Sequence, residues 1–317
     1  MTQWILITCD KRQFALPEPI SWELQYGLGS PCDSFQLLCP WVPGQEGALE
    51  DGVRINVRHE GALIFCGVVD EWECLLQEGG GCLTIHGRGM QALLLDNEAA
   101  GAEFGVATLE DILRHYVTPY GITLAEPAKL PSVSGFSVQT GSSCWQVLDQ
   151  FARYHGGIRP RFTKEGKLLL TPWREEGELC IDDATPVTRL LLRHKRYGVL
   201  SQVKVVNRVS LASSTVVNEA FRSKGGCASR VLTMPRTSSY QTLRYNGQYQ
   251  LDQSRAQLRQ VELTVAAPFM AWPGQLVKLQ RSGWGGGGSY RVVELSLRLG
   301  SGGYETCLVL ADPAALG

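Results

Sequence analysis

Residues 62–88 read ALIFCGVVDEWECLLQEGGGCLTIHGR, and their pattern decides the fold class. Two runs rich in β-branched, aromatic and other apolar residues flank Glu78-Gly79-Gly80-Gly81, where successive glycines favour a turn. The stretch predicts a long β-hairpin, with Ala62 to Leu76 rising and Cys82 to Arg88 returning. Upstream, Trp4 to Thr8, Trp22 to Tyr26, Phe35 to Cys39 and Val53 to Arg58 read as further short strands. In the last of these, Val53, Ile55 and Val57 alternate with Arg54, Asn56 and Arg58, which predicts one buried face and one wet face.

Downstream the hydrophobic period changes from 2 to about 3.6 residues. Thr108 caps a helix whose apolar stripe is Leu109, Ile112, Leu113, Tyr116 and Val117, and Pro119 ends it. Ser143 with Gln146 forms a capping box for a second helix. Cys144, Val147, Leu148, Phe151 and His155 line one face of that helix, and Gly156-Gly157 stops it. As the last member of an apolar stripe, His155 reads as a packed or helix-end residue rather than a ligand. A hairpin from Arg159 to Thr171 turns through Lys164-Glu165-Gly166-Lys167.

Further strands are expected at Gln202 to Val209, Ser214 to Phe221, Ala228 to Met234, Glu262 to Ala266 and Gly274 to Gln280, with a short helix from Gly247 to Arg259. A glycine-rich loop, Arg281 to Gly288, leads into a closing hairpin from Tyr290 to Leu310. The fold class is therefore mainly β with an α+β insertion. Two tube-like β-barrel domains, residues 1–100 and 191–317, flank an inserted domain at 101–190, with strands open to sharing between the barrels.

The chain's 317 residues suffice for two or three cores, and 44% hydrophobic against 19% charged residues suit a soluble, turn-rich protein. Thirty Lys plus Arg against 31 Asp plus Glu leave a net charge of −1 and no basic stripe, so specific nucleic-acid binding is not expected. The opening Met1-Thr2-Gln3-Trp4-Ile5-Leu6-Ile7 lacks a basic segment ahead of an apolar core, so no secretory signal is expected. Stable membrane insertion is not expected either, because no apolar run approaches the roughly 20 residues that a bilayer requires. The ten cysteines (Cys9, Cys32, Cys39, Cys66, Cys74, Cys82, Cys144, Cys180, Cys227 and Cys307) never form a C-x-x-C pair. They read as reduced thiols acting as small hydrophobes rather than as a metal site.

Three blocks recur in order along the chain. Gly52 to Val57 matches Gly274 to Leu279, Val68-Val69-Asp70 matches Val292-Val293-Glu294, and Cys82 to Ile85 matches Cys307 to Leu310. The repetition predicts two related barrels built from one unit. Three copies of such a chain would place six similar units about one axis, so that a three-fold object can seat against a six-fold one.

The order of segments now carries a resemblance. Phe65-Cys66-Gly67-Val68-Val69-Asp70-Glu71-Trp72-Glu73 is followed by Leu83 to Gly89, which passes into Met90-Gln91-Ala92-Leu93-Leu94. After these come Thr108 to Leu113, Ser143 to Leu148 with Tyr154-His155-Gly156-Gly157, and Lys164 to Leu168. Over most of the chain this resembles the baseplate hub family of contractile phage tails and tailocins, the late-control-D-like and XkdQ-like proteins. The resemblance implies a homotrimer with a hexameric tail-tube or tube-initiator ring above and a trimeric central spike below. Tape-measure protein and baseplate wedge are further implied neighbours. It also implies assembly in the bacterial cytoplasm and residence in a virion or tailocin particle.

Candidate chemistry was weighed against that reading. A cysteine hydrolase would pair a thiol with His59, His86, His115, His155 or His194, but no local motif surrounds any of them. Gly285 to Gly288 lacks the Lys-Ser/Thr of a phosphate loop and reads as a hairpin tip. Glu175-Glu176 and Asp182-Asp183 could serve glycoside hydrolysis, yet both lie in polar turn segments. No catalytic residue, cofactor or metal is therefore assigned. Trp272 and Trp284 stand as interface anchors. The alternative kept open is a cell-wall-targeting tail component, either a peptidoglycan hydrolase or a carbohydrate-binding β module.

Overall fold

A computed structural model describes residues 2–28, 32–175, 177–207, 212–234, 240–256 and 258–313. Its first strands are β1 (Thr2–Thr8), β2 (Gln13–Ala15), β3 (Ser21–Gly27), β4 (Ser34–Pro40), β5 (Gly52–His59), β6 (Ala62–Gln77) and β7 (Gly80–Gly89). Next come β8 (Ala102–Ala107), β9 (Val133–Val138), β10 (Arg161–Phe162) and β11 (Leu168–Leu169). The rest are β12 (Glu178–Ile181), β13 (Val187–His194), β14 (Gln202–Asn207), β15 (Ser213–Val217), β16 (Ser229–Met234), β17 (Arg259–Val265), β18 (Leu276–Leu279), β19 (Gly288–Gly300) and β20 (Gly303–Ala311). The helices are α1 (Glu46–Glu50), α2 (Ala92–Leu95), α3 (Leu109–Tyr116), α4 (Cys144–Asp149), α5 (Glu219–Arg222) and α6 (Tyr240–Ala256).

The protein is mainly β, with a block of helices inserted between strands. One 13-stranded sheet runs β13-β17-β20-β19-β3-β4-β7-β6-β5-β1-β2, with β18 pairing β19 and β12 pairing β18. The order β3-β4-β7-β6-β5 in the first half is repeated as β13-β17-β20-β19-β18 in the second, and every pairing in both arrays is antiparallel. The arrays join where β3 pairs with β19. Their inward residues form one core, in which Trp4, Leu24, Leu37 and Ile85 pack with Val261, Leu297, Leu308 and Leu310. Symmetry breaks at the margin, since β1 lies antiparallel to β5 whereas β12 lies parallel to β18.

The three sequence blocks fall on equivalent strands, but two of the three are out of step. Gly52 to Val57 and Gly274 to Leu279 occupy β5 and β18, with Ile55 opposite Gly67 and Val277 opposite Tyr290. A β-bulge sits at Asp70 in β6 and at Val293 in β19, so Val69 corresponds to Val292 and the block matched there is one residue off. Ile85, opposite Trp72, corresponds to Leu308, opposite Leu295, so the third block is two residues off. A two-residue slip keeps every side chain on its own face, which is why the sequence pattern could not detect it.

Helix α3 starts as expected: Asp111 N donates to Thr108 Oγ1 at 3.2 Å while the Thr108 N–H donates back to Asp111. It stops at Tyr116 and is followed by a 3₁₀ turn over Thr118–Tyr120. Ser143 and Gln146 form the capping box of α4, whose last stretch continues as a π-helical turn over Gln150–His155. The side chain of His155 lies outside the described residues. Val147, Leu148 and Phe151 build a second core with Ile112, Phe136 and Leu168, and that core rests on Val68 and Met90 of the first half.

Several local expectations are corrected. Val53 is 43% exposed although it alternates with buried Ile55 and Val57, because it lies at the entry of β5 beyond the core. The 159–171 hairpin shrinks to two short strands. Phe221 is helical, because the Asn218 side chain accepts from its N–H and caps α5. Helix α6 begins at Tyr240 and packs on the small sheet β15-β14-β16, where Val203, Val205 and Leu251 form a third core. Val209, predicted as strand, lies outside the described residues.

Candidate assembly surface

Several of the groups with possible chemistry are committed to structure. The thiols of Cys32 and Cys39 are pushed up to about 12 and about 11 by burial, which keeps them protonated and poorly nucleophilic at neutral pH. Cys144 Sγ meets Tyr120 Oη at 3.5 Å and Cys307 meets Thr264 at 3.7 Å, rather than meeting a histidine. His59 Nδ1 is held by Thr2 Oγ1 at 2.9 Å, His115 lies tilted against Phe104 with ring centroids 6.2 Å apart, and His194 is exposed on β13.

Among the carboxylates, Asp182 accepts the Ala184 N–H at 3.0 Å and caps its own turn. Asp183 accepts from Ser282 N at 2.9 Å and Oγ at 2.6 Å, and those bonds lower its pKa. Glu175 is held low chiefly by hydrogen bonds from the buried guanidinium of Arg291, at 2.7 and 3.0 Å. Its neighbour Glu176 lies outside the described residues. Among the described residues no three His, Cys, Asp or Glu converge as metal ligands, and no helix is long and apolar enough to cross a membrane.

The glycine-rich loop joins β18 to β19, a strand-to-strand connection, so no helix N-terminus is presented to a phosphate. Its tip is braced: Tyr290 Oη donates to Gly286 O at 2.5 Å, and a Cβ on Gly286 would stand 2.5 Å from Leu192 Cδ2. Trp284 lies here, 39% exposed, with the Arg281 guanidinium 4.8 Å over its ring. Trp272 lies elsewhere, half-buried, edge-on to Tyr26 at 5.2 Å and beneath the Lys164 ammonium at 5.0 Å, where first half, second half and insertion meet. A shallow groove over β3, β4 and β7 is lined by Glu23, Gln25, Gln36, Asp70 and His86 with Phe35 at its floor, but Phe35 is only 3% exposed and packs in the core, so it does not offer the open ring face on which a sugar stacks.

What remains uncommitted is the margin of the large sheet. Beyond Val69, β6 pairs among the described residues with β7 on one side only, leaving the other side of Glu71–Gln77 open to them. At the far end of the sheet, β13 pairs among the described residues with β17 alone. Leu75 is 60% and Leu76 67% exposed on the first edge, and Leu192 is 46% exposed on the second. Open edges bearing apolar side chains are templates for strand addition and are normally covered. Sequence reasoning missed both, although a signal was present: Cys74-Leu75-Leu76 and Leu190-Leu191-Leu192 break the alternation expected of strands with one wet face.

Comparison with solved structures places this architecture. A tail protein from Neisseria meningitidis MC58 superposes with a TM-score of 0.76 at 14% identity, covering 99% of this chain and 98% of that one. The fold is that of phage tail proteins. The 43 kDa tail protein of prophage MuSo2 from Shewanella oneidensis matches with a TM-score of 0.74 at 14% identity, covering 99% of both chains. The Escherichia coli c3393 protein is a type VI secretion component structurally similar to the T4 bacteriophage tail proteins gp27 and gp5. It matches this tail-protein fold with a TM-score of 0.59 at 11% identity, covering 93% of this chain and 73% of that one. No family model and no curated protein matches the sequence.

Proposed function

We propose that the chain is a structural hub of a phage-type tail baseplate. Three copies form a ring of six similar β units that joins a hexameric tail tube or tube initiator to a trimeric central spike. The observation that carries this reading is the duplication: one polypeptide holds two arrays of the same strand order, already joined edge to edge through β3 and β19. A closed ring of three such chains covers the β13 edge and the Glu71–Gln77 edge of β6 in every copy, which is the arrangement that closed symmetry favours. The tail-protein fold supports the setting in a virion, tailocin or related particle, with assembly in the bacterial cytoplasm. Tape-measure protein and wedge proteins are proposed as further neighbours.

The division into residues 1–100, 101–190 and 191–317 belongs to this proposal. It is supported by the separate core of the insertion, while the partners of β12 and β13 carry the second barrel back to Glu178. Trp284, exposed on the loop whose Gly286 packs against Leu192, serves at an interface with a neighbouring chain, and Trp272 holds the insertion against the barrels. The chain has no catalytic role in this reading. The cell-wall alternative gains nothing from the committed carboxylates or the polar groove.

Mass in solution together with co-purification tests the proposal. Light scattering is expected to give three times the 34.8 kDa chain, and the cognate tube and spike proteins are expected to co-elute. A monomer with no affinity for either would end it, and release of sugar from peptidoglycan, lost in Asp183→Ala, would favour the alternative.

A further inference from the structure

We propose that a second copy of this chain seats its β13 edge, antiparallel, on the open Glu71–Gln77 edge of β6, in the register that the chain already uses internally between β3 and β19. The proposal rests on the ring reading above and specifies its contact. In each array the long strand, β6 or β19, carries a bulge after which it runs alone on one side. In β19 that side is filled by β3, with Leu295 opposite Tyr26, Leu297 opposite Leu24 and Leu299 opposite Trp22. In β6 it is open. The counterpart of β3 in the second array is β13, and its outer side is open too. Among the described residues these two open edges are the counterparts of a pair the chain has already joined, so it is built to repeat that joint head to tail.

The register follows from the paired residues. Leu37, opposite Trp22, occupies the place of Leu263, opposite Leu190, so Leu190 stands for Trp22 and Leu192 for Leu24. With Ile85 standing for Leu308, Trp72 stands for Leu295 and Cys74 for Leu297. The inferred contact therefore sets Cys74 opposite Leu192, and Leu76 opposite Leu190, on the face continuous with the core. The other face sets Leu75 opposite Leu191, Glu73 opposite Arg193 and Glu71 opposite Lys195.

This register, fixed by backbone pairing alone, brings the exposed Leu75 and Leu76 onto leucines and both glutamates onto basic residues. The internal joint is closed in the same style, by Arg298 and Glu23 at 2.7 Å. Arg193 is already paired with Glu262 on β17 at 2.7 Å, and in the joint it lies between that carboxylate and Glu73. Opposite-charge and apolar cross-strand pairs each favour such a register, and a one-residue slip would turn the leucines toward water.

Crosslinking reads the register directly. Residues directly opposite in an antiparallel pair have Cα atoms about 4.5–5.5 Å apart, within disulfide reach. Leu192→Cys, oxidised mildly, should link to native Cys74 of a neighbour and give covalent species at multiples of 34.8 kDa that end at the trimer. Adding Cys74→Ser should abolish them. Arg193→Cys, one residue along and on the opposite face, should crosslink to Cys74 at least tenfold more slowly. Leu75→Cys with Leu191→Cys offers a second pair should Leu192→Cys misfold. A particle of three-chain mass without these crosslinks overturns the pairing and leaves the ring reading standing. A monomer at every concentration overturns both, and strand addition to β6 by the tube or spike protein instead of a second copy overturns the pairing.

Discussion

Truncating Leu24 or Leu297 tests whether the two halves form one cooperative unit. The residues lie directly opposite each other across the β3–β19 joint, and both are fully buried at 0% exposure. A buried Leu→Ala change removes about three methyl or methylene equivalents and leaves a cavity, which costs about 2.7–5 kcal/mol. Against a total of about 5–15 kcal/mol, either change should be severe, and the double variant should be unfolded or nearly so. Because the two cavities merge, the double should depart from the sum of the singles by about 0.5–3 kcal/mol. Urea unfolding at fixed protomer concentration measures the loss, and amide exchange localises it. The core runs without a break from Trp4 to Leu310, so Leu297→Ala is expected to lower protection in the β6–β7 hairpin as much as in β19–β20. Loss confined to residues after 258, with β6–β7 protection unchanged, would show two independently stable barrels and refute the single-core account.

Two further outcomes follow from charged groups. Burial raises the Asp33 carboxyl to about 6 from its ordinary 3.8, so the folded state holds its proton more tightly than the unfolded chain. Its stabilising effect is full below about pH 4 and is lost as pH rises through about 6. Asp33→Asn, which keeps an acceptor for the Gly27 N–H, should thus gain about 1–2 kcal/mol at pH 8 and nothing at pH 4. Thermal unfolding at both pH values checks this, and an equal gain at both would contradict it. Arg291, 7% exposed, donates to Glu175, to Gly274 O at 2.8 Å and to Pro313 O at 2.8 Å. Arg291→Met orphans the buried Gly274 carbonyl and the half-buried Pro313 carbonyl and should cost about 2–4 kcal/mol, whereas Glu175→Gln, at a half-exposed carboxylate, should cost about 1. Urea midpoints showing the reverse order would mean that the carboxylate rather than the arginine organises this corner.

Local patterns determined a good deal about this protein. The 62–88 hairpin follows from apolar runs around a glycine turn, and the starts of α3 and α4 follow from Thr108 with Asp111 and Ser143 with Gln146, because a capping box is settled within four residues. The mainly-β class, the helical insertion and the existence of a repeat were legible for the same reason: each depends on periodicity along the chain. Tertiary structure decided what periodicity cannot carry. A bulge at Asp70 or Val293 leaves composition unchanged while shifting register by one, and a two-residue slip preserves both faces, so the alignment of the two arrays had to come from their hydrogen-bonded partners. Phe221 joined a helix through a cap by Asn218 that strand-like neighbours had masked. The open edges of β6 and β13 were fixed only by which strands lie beside them, since an edge is a property of neighbours and not of the strand itself.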